Sequence, residues 1–282
     1  MDQSLFLGIL ILIGALVVLK FIVTRLFKLV LLAILIGFSV FLFVGMSGCA
    51  YITPLVNDFN IVPLDQEIAL GNNIAQSIAQ EMKISDNAGM NGIVKAIGQE
   101  LVNVLPRRDF DYKFYVVEDA APNAFTIPGG SIYVHTGLLN FVDSPDELAG
   151  VIAHEVGHAY ERHPAKSISR AYGLQYIGQM LSAKGDPGAI QQMAASLAGK
   201  GLLTKYGRSD EYEADSIGYY LTRRTHYESH GLVRFLEKLA KLSSGGGSIP
   251  FFQSHPPTPD RIARLKALAH ASISVDPSAS RL

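Results

Sequence analysis

The sequence predicts an α+β fold, mostly helical, with a small β-sheet and with one or two transmembrane helices ahead of it. Three observations carry this. Phe110–Glu118 alternates β-branched and aromatic residues, and two more short strand patterns flank Pro128-Gly129-Gly130. Nearly everything after them spaces its apolar residues as helices do. Residues 1–50 hold only four charged side chains, Asp2, Lys20, Arg25 and Lys28, so the apolar excess is concentrated there. Over all 282 residues, 49% are apolar and 17% charged, which excludes a disordered or fibrous chain. A net charge of −1 gives no basic surface for nucleic acid. A single cysteine, Cys49, rules out an intramolecular disulfide framework and any cysteine-rich zinc module.

Taken in order, Leu5–Leu19 is an uncharged apolar run, and Leu29–Ala50 is a second of 22 residues. A bilayer core takes about 20 apolar residues, so the second is long enough and the first borderline. The three cations lie between them, and Lys and Arg stay on the cytoplasmic side, which puts both outer ends on the far side. The stretch Lys20, Arg25, Lys28, Leu29–Val44, Met46-Ser47-Gly48-Cys49 also has the layout of a bacterial lipoprotein signal ending in a lipobox. Cys49 is therefore a lipidation candidate, or else a small apolar residue at a membrane exit. Either version places the globular part outside the cytoplasmic membrane, in the bacterial envelope on the periplasmic side. The expected division is an anchor over 1–50, a linker over 51–63, a globular domain over 64–271 and a flexible tail over 272–282.

In the globular part, Ile68, Ile74, Ile78 and Met82 predict one amphipathic helix, and Ile93, Ile97, Leu101 and Val102 a second. The strands are expected over 110–118, 124–127 and 131–136. Ser144, Pro145 and Glu147 form a capping-box pattern, opening a helix expected to run to about Arg162, where Pro164 would end it. Further helices are expected at about 165–182, 187–203, 207–223 and 228–242. The run 243–248 (SSGGGS) predicts a flexible loop, and Thr258-Pro259 opens a last helix to about His270.

The capped helix carries His154-Glu155-Val156-Gly157-His158. Residues i and i+4 share a helix face, so both imidazoles can reach one ion, with Glu155 beside it to hold a water. Zinc asks for a third protein ligand. His163 falls one residue short of the HExxHxxGxxH spacing, and Glu161 stands where that pattern has Gly. A carboxylate from a second helix is the other route. Arg208-Ser209-Asp210-Glu211-Tyr212-Glu213-Ala214-Asp215 offers it: Glu211 and Asp215 share a face, so Glu211 can bind metal while Asp215 takes the outer N–H of His154. Glu213 points to another face and is the weaker candidate.

These motifs, with NAFTIPGGSIYVHTGLL at 123–139 and HPPTPDRI at 255–262, resemble the zinc peptidases of the HtpX and CAAX-prenyl-protease type, of the gluzincin clan. The resemblance covers most of residues 60–270 and is closest to the periplasmic BepA-like branch. HtpX itself has membrane segments that interrupt the peptidase domain, which this start does not match. No tetratricopeptide-type repeats are read here, so a partner surface built on them is not implied. The resemblance implies a gluzincin-type fold, one Zn2+ per chain, Glu211 as third ligand, and protein or peptide substrates at a membrane.

The expected chemistry is metal-assisted amide hydrolysis, with Glu155 moving the proton of the attacking water. Ala124–Ile127 can bind an extended peptide as an added strand, with Asn123, Ala124 and Phe125 as substrate contacts. Arg208, one turn before Glu211, reads as its ion-pair partner. His255, on the stiff arm ahead of Pro256-Pro257, is expected to stabilise the oxyanion when substrate is bound and to cover the zinc when it is not. The rival class is a membrane-anchored assembly factor or chaperone in which peptidase activity is latent; the intact Glu155 argues against a dead enzyme.

Overall fold

The computed structural model describes residues 60–170, 206–244, 251, 254, 255 and 258–270, with five isolated positions before residue 36. It separates into two units, Met1–Val56 and Asn57–Leu282. In the first, Lys20, Thr24, Arg25, Lys28 and Leu35 are helical, and Thr24 Oγ1 donates to Lys20 O. The rest of the two apolar runs, Cys49, most of the linker and the tail lie outside the described residues. Among the described residues, no helix is long and apolar enough to cross a membrane.

The second unit runs α1 (Leu64–Glu81), α2 (Ala88–Asn103), β1 (Lys113–Val117), β2 (Ala124–Ile127), β3 (Ser131–His135), α3 (Thr136–Phe141), α4 (Pro145–Tyr160), α5 (Arg208–Thr222), α6 (Gly231–Ser244) and α7 (Pro259–His270). The sheet order is β1-β3-β2, with β1 parallel and β2 antiparallel to β3. Gly129 (φ 80°) and Gly130 (φ 84°) make the β2–β3 turn in left-handed backbone that side chains resist. Strand alternation sends Ala124, Ile132 and Val134 to one face, against α2, α4, α5 and α6. Phe125, Ile127 and Tyr133 go to the other, against Leu70, Ile74 and Ile78 of α1. The sheet thus separates two apolar layers, and β2 forms one of its edges.

α4 is buried along its whole length from Glu147 to Tyr160. Ser144 caps it, its Oγ accepting from Glu147 N at 3.2 Å with Pro145 in the first turn. Glu147 does not complete the expected box: its Oε2 accepts from Asp143 N (3.0 Å) and Lys238 Nζ (2.9 Å) instead. α4 and α5 cross closely because each sets a glycine against the other's backbone. A Cβ on Gly157 would lie 2.8 Å from Ala214 O, and one on Gly218 would lie 3.0 Å from His154 N. Shared glycines thus bring the two metal-motif segments together.

Three expectations are corrected. Pro164 does not end α4. The helix stops at Tyr160, and Arg162 takes left-handed backbone (φ 58°), unusual for a residue with a side chain. Such a turn persists only where its surroundings hold it; here Arg162 Nε donates to buried Glu67 (2.6 Å) and its Nη2 to Val62 O (2.6 Å). Residues 163–170 are helical again, with Pro164 in the first turn, where a missing N–H costs nothing. The first strand is shorter than expected, because its partner β3 begins at Ser131, opposite Lys113; ahead of it Phe110 and Tyr112 pack edge-to-face at 6.0 Å. Ser243 and Ser244 belong to α6, and 245–250 lie outside the described residues, as do most of the helices expected over 165–203.

Candidate metal centre

α4 presents His154 and His158 one turn apart, and their Nε2 atoms lie 3.1 Å from each other. α5 adds Glu211, whose Oε1 is 3.4 Å from His158 Nε2. The segment before α7 adds His255, with Nδ1 3.2 Å from His154 Nε2 and 3.0 Å from Glu211 Oε1. All three imidazoles are fully buried, and the four residues each aim one donor atom at a common point. Four atoms bound tetrahedrally at about 2.0–2.1 Å from a metal would stand about 3.3 Å apart. Four of the observed spacings, 3.0–3.4 Å, match, and His154 Nε2 to Glu211 Oε2 is longer at 3.6 Å.

The chemistry of the donors makes the same point. His154 Nδ1 lies 2.9 Å from Asp215 Oδ1, and a carboxylate can only accept, so His154 carries its proton there and turns a lone pair inward. Burial pushes the His158 imidazole well below its ordinary pKa, into the neutral form that metals bind. Burial opposes charge on Glu211, yet the neighbouring His255 and Arg261 hold its carboxyl well below the usual range. For His255 burial is outweighed by the Glu211 and Glu155 carboxylates, which raise its pKa. Two imidazole lone pairs and a carboxylate converging in a fully buried site call for a cation.

Glu155 stands outside this set. Its Oε2 accepts from Thr126 Oγ1 at 2.8 Å, and its Oε1 lies 3.3 Å from His255 Nε2. The β2 edge therefore touches the site through Thr126, which the sequence did not single out. Phe125 faces the other way, stacking on Tyr133 at 5.0 Å, so its side chain is no contact at the metal centre. Ala124 is buried on the Thr126 face, and Asn123 lends its carbonyl to His135 N (2.9 Å). Arg208 is exposed on the first turn of α5, and among the described residues no carboxylate pairs with it. The cation on Glu211 is Arg261 from α7, fully buried, with Nη1 at 2.6 Å from Oε2. Its Nε and Nη2 both donate to Asp215 at 2.7 Å. Glu213 does not reach the metal point; its Oε2 lies 3.1 Å from His163 Nε2. Cys49 lies outside the described residues.

Tyr206, also unforeseen, stacks its ring on His158 (3.9 Å, 19°) and donates its hydroxyl to Thr126 O on the β2 edge at 3.3 Å. No local pattern marks it. Arg261 did carry a signal, inside the HPPTPDRI motif.

A buried HExxH helix crossed by a second helix that brings a glutamate to the two histidines is the site of a gluzincin-type metallopeptidase. Comparison with known proteins agrees with the geometry and makes it more particular. The model of peptidase family M48 matches residues 89–269, more than half of the chain, and the chain belongs to that family. It is 27% identical over 206 residues to the beta-barrel assembly-enhancing protease of Yersinia pestis, covering 70% of this chain and 42% of that one. To the mitochondrial metalloendopeptidase OMA1 of Schizosaccharomyces pombe it is 27% identical over 212 residues, 74% of this chain and 62% of that one. To the metalloprotease YcaL of Escherichia coli it is 29% identical over 204 residues, 71% of this chain and 74% of that one. The chain thus spans about half the length of the first two relatives.

Proposed function

We propose that this chain is a membrane-anchored zinc metalloendopeptidase of the bacterial envelope that cleaves misfolded or envelope proteins. The convergence of His154, His158 and Glu211 on one buried point is the observation that carries the reading. Zinc is the ion that best suits two neutral imidazoles and a carboxylate at tetrahedral spacing, and it supplies Lewis acidity that polarises a carbonyl and acidifies water. Asp215 orients His154, and Arg261 keeps Asp215 and Glu211 charged and in place. Glu155, held by Thr126, takes the proton of the attacking water and returns it to the leaving amine. The β2 backbone offers the edge on which an extended peptide pairs, with Asn123–Thr126 as the contact strand. A peptide there must displace Tyr206 from Thr126 O.

In this arrangement His255 fills the position that a catalytic site keeps open. In this reading His255 covers the metal point when no substrate is bound and leaves it to admit substrate. The test is casein cleavage by the full chain, with and without a chelator, alongside metal analysis. Zinc at about one per chain, and cleavage lost to chelator and restored by zinc, is the expected result; cleavage indifferent to the chelator overturns the reading. In the same assay His255→Ala raises basal cleavage if the lid role dominates. It lowers cleavage by about 10²–10³ if the oxyanion role does. No change in cleavage or zinc makes His255 a loop residue.

The envelope address rests on the charge pattern of residues 1–50 and on the bacterial relative named for β-barrel assembly. Mass spectrometry of the mature N-terminus separates its two forms. An acylated Cys49 at the first position means a lipoprotein, and an intact Met1 with unmodified Cys49 means an anchor of hydrophobic segments. A mature chain that begins beyond Cys49 overturns both.

A further inference from the structure

His158 differs from His154 in what holds its outer nitrogen. A carboxylate holds His154, whereas His158 Nδ1 faces another imidazole, His163 Nδ1, at 2.9 Å. His163 is fully buried, and its far nitrogen, Nε2, lies 3.1 Å from Glu213 Oε2. Arg162 makes this contact possible: its left-handed turn folds the chain back, so a residue five positions after His158 returns to touch it.

Two neutral imidazoles meeting Nδ1 to Nδ1 can share only one proton, and Glu213 decides where it sits. An ionised carboxylate only accepts, so His163 must carry its hydrogen on Nε2. Its Nδ1 then holds a lone pair, which only a proton on His158 Nδ1 can satisfy. With that proton outside, His158 Nε2 is a lone pair facing the metal point. In the opposite arrangement the His163 Nε2 lone pair would face the carboxylate, and His158 would turn an N–H toward His154 Nε2 at 3.1 Å. That arrangement leaves His158 no lone pair for a metal.

We propose that His163, held by Glu213, is a positioning residue that locks His158 in its metal-binding tautomer and orientation, a proposal that rests on the metal-centre reading above. A ligand histidine ordinarily leans on a carboxylate, a carbonyl or water. Here the carboxylate acts one residue removed, through a neutral imidazole. Glu213 reaches the centre by this path although it lies on a different face of α5 from Glu211.

The test measures zinc affinity of the full chain by competition with a chromogenic chelator, with the melting temperature of the zinc-free protein measured beside it. His163→Phe fills the space but offers no acceptor and should weaken zinc binding about 10–100-fold, the usual loss for such a partner. His163→Asn places an amide oxygen near the Nδ1 position and should recover most of that loss. Glu213→Gln, which still accepts from Nε2–H, should stay near wild type, while Glu213→Leu should fall with His163→Phe. Because Glu213 is partly exposed, that second pair holds even if His163→Phe fails to fold. Equal zinc affinity for Phe and Asn at 163, or for Gln and Leu at 213, overturns the proposal, since packing alone would then explain the site. A wild-type chain that takes up no zinc overturns the metal-centre reading itself, and this proposal with it.

Discussion

Arg261→Met should destabilise the domain by about 3–5 kcal/mol, the range for removing one member of a buried charge cluster. For a domain of this size that is a fall of about 6–20 °C in melting temperature. Arg261 is 1% exposed and touches both carboxylates of the site, Asp215 through two 2.7 Å bonds and Glu211 through one of 2.6 Å. Methionine matches the bulk of its stem but leaves two buried anions facing each other. Bound zinc can compensate Glu211 but not Asp215, so part of the loss should persist in the metal-loaded protein. The same clasp has a pH signature. Burial raises the Asp215 pKa, but Arg261, together with His154, outweighs it and holds the carboxyl below its ordinary 3.8. A depressed carboxylate contributes stability at neutral pH that is lost as pH falls through the folded-state value. Wild type should therefore lose this increment only in acid, and the difference between wild type and Arg261→Met should narrow there. Thermal melts at pH 7 and below 4 measure both effects; a loss under about 1 kcal/mol at pH 7 would show that the cluster does not hold α7 to α5.

What could be read from the sequence follows from how local each contact is. His154, Glu155 and His158 lie on one turn of one helix, and Glu211 and Asp215 on one turn of another, so i,i+4 spacing suffices to group them. The crossing that joins the two groups depends on Gly157 and Gly218, and nothing in either segment alone announces that they meet. His163 was out of reach for a different reason. In a continuous helix a residue at i+5 leaves the face of residue i, and only the turn at Arg162, anchored by Glu67 from a distant helix, returns it. The exchange of Arg208 for Arg261 has the same origin. A nearby arginine is visible along the chain, whereas one arriving from the last helix is a product of tertiary packing. For β2, strand alternation puts Phe125 and Thr126 on opposite faces, but which face meets the metal point is settled by α4 on one side and α1 on the other.

Glu155→Gln should lower casein cleavage by about 10²–10⁴, the range for removing a positioned general base. Glu155 contributes no atom to the four-residue cluster, so zinc content and affinity should stay at wild-type levels. Gln is nearly isosteric and its amide oxygen still accepts from Thr126 Oγ1, so the fold and the β2 contact should survive as well. The amide cannot take a proton from water, and the substitution also removes the charge that faces His255. The comparison therefore isolates chemistry from architecture. A Glu155→Gln chain that cleaves casein at the wild-type rate would refute the assigned base. A chain that is inactive on casein, zinc-loaded, and yet fully able to replace wild type in the cell would move its cellular role to assembly or chaperone work. The geometry favours the opposite result. A scaffold needs the metal donors and Arg261 to hold its helices together, but it has no use for a carboxylate kept free of the cluster, fully buried, and aimed by a threonine from the strand that would carry the substrate.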